Sequence, residues 1–163
     1  MKKIDKDGLL LCELQANTFE LSVSESETSS EIFIRRFMNS GIAKKFDSTA
    51  ILETNIQPKD VLDRIKEEYG ESKYGTVRYS KAEIYWIGYI YRYFAYTFSW
   101  TSVKIYKTVK PKELRGLYYP YHSLDPAQAI ERILESKGFP QNEDEELDRQ
   151  YRIYRKIRNR VSG

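Results

Sequence analysis

The sequence is poor in the residue types that most catalytic and metal sites need. Its 163 residues include one cysteine, Cys12, and one histidine, His122. A single cysteine excludes an internal disulfide and fits a reducing compartment. With only one cysteine and one histidine, the chain cannot form a cysteine-rich zinc site or a motif with two histidine ligands. A glycine-rich phosphate loop and a serine nucleophile elbow are also absent. We therefore expect no cofactor and no metal, and we predict that Cys12 is a buried thiol.

Long hydrophobic runs are also missing. The most hydrophobic stretch, residues 84–100, has 17 residues and includes Arg92 and five tyrosines. A membrane span needs about 20 mostly apolar residues. Near the start of the chain, Asp5, Asp7 and Glu13 interrupt the apolar run that a signal peptide would need. The expectation is a cytoplasmic protein that makes no contact with a membrane.

The overall composition predicts one globular domain over residues 1–163. Apolar residues make up 40% of the chain and charged residues 31%, which is enough for a real core and a well-charged surface. No internal repeat or Gly/Ser-rich linker divides the chain. The net charge of +3 is small for a dedicated nucleic-acid binder.

Helical periodicity dominates the sequence, so the predicted fold class is mostly α. We expect about six helices packed around a central aromatic helix at residues 81–100, in which Gly88 allows another element to approach closely. The pairs Thr28/Glu31 and Ser80/Glu83 have the spacing of capping boxes. Helices are predicted at residues 31–38, 58–69, 81–100, 103–109, 126–137 and 143–161, with further short turns at 42–46 and 112–117.

Two segments are predicted to be non-helical. Leu14, Phe19, Leu21 and Val23 indicate two short strands, a small N-terminal β element followed by a polar loop at residues 22–30. The segment 118–122 is expected to leave the helix, because Pro120 removes a hydrogen-bond donor.

Tyrosine gives the strongest compositional signal. Eleven of the 14 tyrosines lie between Tyr74 and Tyr121. Tyrosine is favoured at protein interfaces, where its ring is buried and its hydroxyl is wet, although a tyrosine-rich core would give the same count. The candidate partner-binding residues are Tyr85, Tyr89, Arg92, Tyr96, Tyr118, Tyr119, Tyr121, His122, Tyr151, Tyr154 and Arg155.

Residues 99–123 form a locally basic, aromatic segment. Five basic residues there face only one carboxylate, Glu113. This composition suits a nucleic-acid surface, and the segment could hold the second helix of a helix–turn–helix. A lysine-coated solvent face is the plainer interpretation. The candidate DNA-binding residues are Thr101, Ser102, Lys104, Lys107, Lys110, Lys112 and Arg115.

The single histidine allows a third hypothesis. Arg115 and His122 are separated by six residues, which resembles the loosest form of the Arg-x(4–6)-His pattern of the small all-α ribonucleases called HEPN domains. In those enzymes the histidine takes part in acid–base chemistry and the arginine steadies phosphate charge. Gly116 stands where that family favours a polar residue. Hydrogen bonding of His122 within an aromatic loop is the alternative.

Three segments resemble a small family found in Gram-positive bacteria and their mobile elements. They are Ser29 to Met38 (SSEIFIRRFM), Tyr85 to Tyr93 (YWIGYIYRY), and Lys110 to Ile133 with its KELRGLY and DPAQAIERI runs. Members of this family are encoded beside toxin genes and look like antitoxins. The resemblance covers about residues 28–135 and supplies no catalytic motif. It implies a binding protein and not an enzyme.

The sequence therefore leads to an antitoxin-like interaction protein that occludes the active site of a cognate toxin. A DNA-binding regulator is the alternative, and an antitoxin that represses its own operon through operator DNA would satisfy both hypotheses.

Residues 142–163 are predicted to form a charged helix that docks on the main body or on a partner, after a hinge at 140–142. Its apolar stripe is Leu147, Tyr151, Tyr154, Ile157 and Val161. The oligomeric state, including a homodimer, stays open.

Overall fold

The fold is entirely helical in the part of the chain that the computed structural model describes, residues 1–139 and 143–162. Those residues form nine α-helices and one 3₁₀ helix, Ala50–Glu53, with no strand among them. The mostly α class is confirmed, whereas the number of helices is larger than predicted. The helices are α1 (Lys6–Glu25), α2 (Ser30–Met38), α3 (Gly41–Asp47), α4 (Pro58–Tyr69), α5 (Lys81–Phe98), α6 (Ser102–Thr108), α7 (Pro111–Tyr121), α8 (Pro126–Ser136) and α9 (Glu143–Ser162).

The predicted N-terminal β element is wrong, because residues 6–25 form the long helix α1. Asp5 caps it by accepting a hydrogen bond from the Gly8 N–H over 2.9 Å. The buried face of α1 has helical spacing, but polar Gln15, Thr18 and Ser22 occupy part of it. These polar residues interrupt the helical repeat of apolar residues on this face. The apolar residues at positions 19, 21 and 23 also happen to alternate, which is the pattern of a strand. The predicted loop accordingly shortens, since α2 begins at Ser30.

The central position of α5 is confirmed, and α1 is its principal neighbour. Gly88 allows the close approach that the sequence predicted. A Cβ atom on Gly88 would lie 2.8 Å from Cγ of Phe19 and 3.1 Å from Cα of Ala16, closer than van der Waals packing permits. The two helices therefore pack with the backbone of α5 against α1.

A buried arginine joins four helices of this body. Arg92 on α5 is 1% exposed and donates from Nε to Gln15 on α1 over 2.7 Å, from Nη1 to Asp47 on α3 over 2.8 Å, and from Nη2 to Ser102 on α6 over 2.7 Å. The Ser102 hydroxyl in turn donates to Asp47 over 2.6 Å. Burial lowers the pKa of the Arg92 guanidinium, while the adjacent Asp47 opposes that shift. Each polar group of the network is satisfied, as a buried charge requires.

The segment 118–122 does not leave the helix as predicted. Helix α7 continues through Pro120 to Tyr121, and the backbone N–H of His122 still donates to the Tyr118 carbonyl over 2.8 Å. Pro120 lies in the last turn of α7, so its missing N–H removes one helical bond and little helix follows that could be bent. Proline is therefore tolerated at this place.

Helix ends elsewhere follow the sequence signals. Ser80 and Glu83 form the predicted capping box of α5, and α4 runs from Pro58 to the residue before Gly70. At α2 the cap is Ser29 and not Thr28, because the Ser29 hydroxyl accepts from Ile32 N–H over 3.3 Å. Capping signals thus fixed most boundaries to within a residue or two.

The chain divides into two compact units, residues 1–123 and 124–163. In the second unit, α8 begins at Pro126 as predicted, with Asp125 as its N-cap, and its residues Ala129, Ile130, Ile133 and Leu134 are buried. Helix α9 forms as predicted, while the proposed hinge at 140–142 lies outside the described residues. No helix in the described part of the chain combines the length and apolar character needed to cross a membrane.

Candidate functional site

An open groove lies between α1, α5 and α7 in the first unit. Its volume is about 530 Å³. Four of the predicted partner-binding residues, Tyr85, Tyr89, Tyr118 and His122, meet in it. We call it the aromatic groove, and its lining residues are Glu20, Ala82, Tyr85, Trp86, Tyr89, Tyr118 and His122.

The α5 side of the aromatic groove is a row of tyrosines spaced by one helical turn. The rings of Tyr85 and Tyr89 are stacked, with centroids 6.4 Å apart and an interplanar angle of 24°. Tyr89 and Tyr93 repeat this arrangement at 6.3 Å and 30°. Spacing of four residues places these rings on one face of the helix, so α5 presents a continuous aromatic strip.

The α7 side of the groove depends on the helix continuing through Pro120. Tyr118 meets the buried Trp86 edge-to-face at 5.9 Å and stacks on His122 at 4.4 Å. The His122 Nδ1 atom lies 2.8 Å from the Tyr118 carbonyl, which can only accept, so Nδ1 carries a proton. The imidazole is thereby fixed in one orientation, and Nε2 remains available for a ligand.

Tyr85 and Tyr89 stay neutral well above physiological pH. Burial raises the pKa of Tyr89 to about 12. Burial also raises the pKa of Tyr85, and the carboxylates of Glu13 and Glu20 on α1 add to that shift. Each phenol therefore keeps its hydroxyl proton and can donate a hydrogen bond while its ring packs against a partner.

No family model matches the chain, no curated protein is significantly similar to it, and no solved structure matches its sequence or fold. The function must therefore be argued from the geometry. Among the side chains that the structure describes, those of residues 1–139 and 149–160, no three His, Cys, Asp or Glu come together as a metal site would require. Cys12 is fully buried as predicted, and burial raises the pKa of its thiol to about 12.

Other predicted partner-binding residues lie outside the groove. Arg92 is inside the protein in the network described above, so it is not available to a partner. The Tyr96 hydroxyl donates to Asp5 over 2.6 Å and its ring lies under the Lys2 ammonium group, which ties down the start of the chain. Tyr119 is 85% exposed and Tyr121 is half-buried.

The remaining predicted partner-binding residues belong to α9 in the second unit. Tyr151 and Tyr154 are each 61% exposed and Ile157 is 55% exposed. The Arg155 guanidinium lies 5.8 Å from the centre of the Tyr151 ring. The side chains of Leu147 and Val161 lie outside the described part. The docking of this helix on another surface stays a prediction.

The predicted DNA-binding residues separate into two groups. Lys104, Lys107, Lys110 and Lys112 are exposed on α6 and at the start of α7. By contrast, the Thr101 hydroxyl caps α6 by accepting from the Lys104 N–H over 3.1 Å. Ser102 is 1% exposed in the Arg92 network. These two residues therefore serve the fold, and the four lysines form an exposed basic surface.

Arg115 lies on α7 and His122 caps the C-terminus of the same helix, whereas the predicted end of the helix before residue 118 would have separated them. The Arg115 side chain is nevertheless engaged in contacts with other residues of the first unit. Its Nε donates to Glu83 over 3.1 Å, and its guanidinium lies 4.2 Å from the centre of the Tyr79 ring. The charge that a ribonuclease would need for phosphate is already paired.

Sequence reasoning missed the groove residues Glu20, Ala82 and Trp86. Glu20 lies on α1, which was interpreted as a strand, so its neighbours in space could not be inferred. Trp86 follows Tyr85 within the predicted central helix, and its 9% exposure marks it as part of the groove's buried lining. A search for a helical repeat in which some buried positions are polar would have predicted α1, and with it the position of Glu20.

Proposed function

We propose that this chain is a non-enzymatic interaction protein, antitoxin-like, whose aromatic groove docks on a partner protein. The observation that carries the proposal is the convergence of Tyr85, Tyr89, Tyr118 and His122 from two helices into one open groove. Aromatic residues in such a position are the usual energetic anchors of protein interfaces. The resemblance of residues 28–135 to antitoxins encoded beside toxin genes supports a toxin as the partner, and occlusion of its active site as the mechanism.

The aromatic strip also suits this role physically. Each tyrosine offers a large ring with few rotatable bonds, so little conformational entropy is lost when the ring is covered. The stacked contacts between Tyr85, Tyr89 and Tyr93 hold the rings in place before binding. Preorganisation of this kind favours affinity because less freedom is lost in the complex.

The test is to co-express the chain with the product of the adjacent gene. Wild type should form a stable complex and restore growth if that product is toxic. Tyr85→Ala and Tyr118→Ala should each weaken the complex by about 2 kcal/mol, the scale of an interface hot spot. Tyr74→Ala is the matched control, because Tyr74 is 71% exposed and lies outside the groove. Equal affinities for all variants would overturn the assignment of the groove.

DNA binding is the second candidate, favoured by the four exposed lysines of α6 and α7. Lys104→Glu together with Lys107→Glu should weaken binding to the native promoter at low salt, and the affinity should fall steeply as salt rises. Lys44→Glu together with Lys45→Glu, at two exposed positions on α3, is the control for net charge. Absence of a mobility shift for wild type at low salt would remove this candidate.

A further inference from the structure

No cation of the described residues lies on the rings of the aromatic groove, unlike several other half-buried rings of the first unit. Elsewhere the chain places its own cations on aromatic faces: the Lys104 ammonium lies 3.8 Å from the centre of the Trp100 ring, and the Lys110 ammonium 4.1 Å from that of Tyr106. Among the described residues, no lysine or arginine lies over Tyr85, Tyr89 or Tyr118 or lines the groove, whose lining residues are Glu20, Ala82, Tyr85, Trp86, Tyr89, Tyr118 and His122.

The charge beside the groove is negative. Glu13 and Glu20 are two helical turns apart on α1, so they lie on the same face. Both carboxylates act electrostatically on Tyr85, and Glu13 also acts on Tyr89. Neither carboxylate forms an ion pair with any residue in the described part of the chain. Their charge is therefore available to a ligand.

An aromatic face and a carboxylate select the same kind of ligand. The face of a tyrosine ring carries partial negative charge and attracts a cation within about 6 Å of its centre. Arginine suits such a site better than lysine, because its planar guanidinium stacks on rings and forms forked hydrogen bonds with carboxylates. The stacked pair Tyr85 and Tyr89, beside Glu13 and Glu20, provides both contacts.

We propose that the aromatic groove binds an arginine-bearing segment of the partner protein, with a guanidinium over the rings of Tyr85 and Tyr89 and its charge balanced by Glu13 and Glu20. This inference rests on the proposed function and names the chemistry of the partner. The partner could be an enzyme whose basic active cleft binds phosphate groups. Its activity would be blocked, because the carboxylates of Glu13 and Glu20 would occupy the place of its anionic substrate.

A short peptide can test the groove directly on the full chain. The probe is acetyl-Gly-Arg-Gly-Arg-Gly-amide, and its matched control replaces both arginines by citrulline, which has the same shape without the charge. Binding is followed by NMR chemical-shift changes of the indole N–H of Trp86, assigned with Trp86→Phe. The arginine peptide should shift the Trp86 signal in a saturable way, and the citrulline peptide should bind at least fivefold more weakly.

The variants separate charge from ring contacts. Glu13→Gln with Glu20→Gln should weaken the arginine peptide at least fivefold, and Tyr89→Leu should do the same. Glu53→Gln with Glu67→Gln is the control, since it removes the same charge from exposed positions outside the groove. Unfolding curves of each variant establish that the fold is retained, and Tyr85→Leu replaces Tyr89→Leu if the latter does not fold.

The outcomes distinguish this inference from the proposed function. Equal binding of the citrulline peptide, no effect of the Glu13 and Glu20 variants, or no peptide binding would overturn the arginine site. If Tyr85→Ala still weakens the complex with the adjacent gene product in those cases, the docking groove stands and only its ligand is wrong. A saturable shift of the Trp86 signal by a single-stranded RNA in the absence of peptide would also overturn the inference, because the groove would then bind nucleic acid.

Discussion

Nη1 of Arg92 lies 2.8 Å from Oδ1 of Asp47, although the two residues are 45 positions apart in the chain. The guanidinium is almost completely buried, and Asp47 provides its only counter-charge among the described residues. The pair links α5, at the centre of the fold, to the end of α3. The packing of the first unit therefore depends on this ion pair.

Asp47→Ala should destabilise the protein strongly. The change leaves a buried cation without its partner, which typically costs about 3–5 kcal/mol. The free energy of unfolding in urea measures the effect. Asp63→Ala, an exposed aspartate on α4, is the control and should change stability by no more than about 0.5 kcal/mol. A loss below about 1 kcal/mol for Asp47→Ala would contradict the structural role of the pair.

Gly88→Ala should destabilise the α1–α5 contact, although alanine is the better helix former. The new Cβ would lie 2.8 Å from Phe19, and overpacking of this kind costs about 1–3 kcal/mol. Gly116→Ala on α7 is the matched control, because no atom outside the local helix backbone lies within 4 Å of its Cβ position. That change should raise stability by about 0.5–1 kcal/mol. Opposite signs in urea unfolding are expected, and a stabilising Gly88→Ala would contradict the packing.

A close helix contact at Gly88 could be predicted from the sequence, whereas the identity of the helix that makes this contact could not. Glycine within an aromatic helix signals a close approach, but the approaching element, α1, was interpreted as strands. The polar groups of Gln15 and Ser22 are buried only because they bond within the fold, and a sequence pattern does not show such partners. Arg92 was placed on the surface for the same reason. Its counter-charge, Asp47, comes from a distant helix.

Capping signals were the most reliable part of the sequence, because they depend on residues three or four positions apart. The ends of α4, α5 and α8 follow from local hydrogen bonds, and local rules describe them well. The groove itself was partly predictable: Tyr85 and Tyr89 were candidates from composition alone. The meeting of Tyr118 and His122 required α7 to continue through Pro120, and a local rule argued against this.

Acid should weaken the N-terminal anchor. The hydroxyl of Tyr96 and the backbone N–H of Gly8 donate to Asp5, and these bonds hold the pKa of Asp5 below its ordinary value of 3.8. The stabilisation is present above the unfolded pKa and is lost as pH falls through the folded pKa. Asp5→Asn should therefore flatten the decline of stability below about pH 4, measured by urea unfolding against Asp7→Asn. Identical pH profiles for the two variants would contradict the anchor.

Purified protein should not cleave RNA. Arg115 is paired with Glu83 and stacked on Tyr79, and His122 is held against Tyr118 by its ring and by its Nδ1 atom. Labelled RNA incubated with wild type and with His122→Ala should remain intact in both samples. Cleavage by wild type that disappears in the variant would establish a ribonuclease and overturn the non-enzymatic proposal.

The dissociation constant of the complex with the adjacent gene product is the most direct test of the docking groove. Calorimetry should give binding to wild type and to Tyr74→Ala with the same affinity, and binding to the double variant Tyr85→Ala/Tyr118→Ala weakened at least 30-fold, as the loss of about 2 kcal/mol or more requires. An unchanged dissociation constant for the folded double variant would contradict the account.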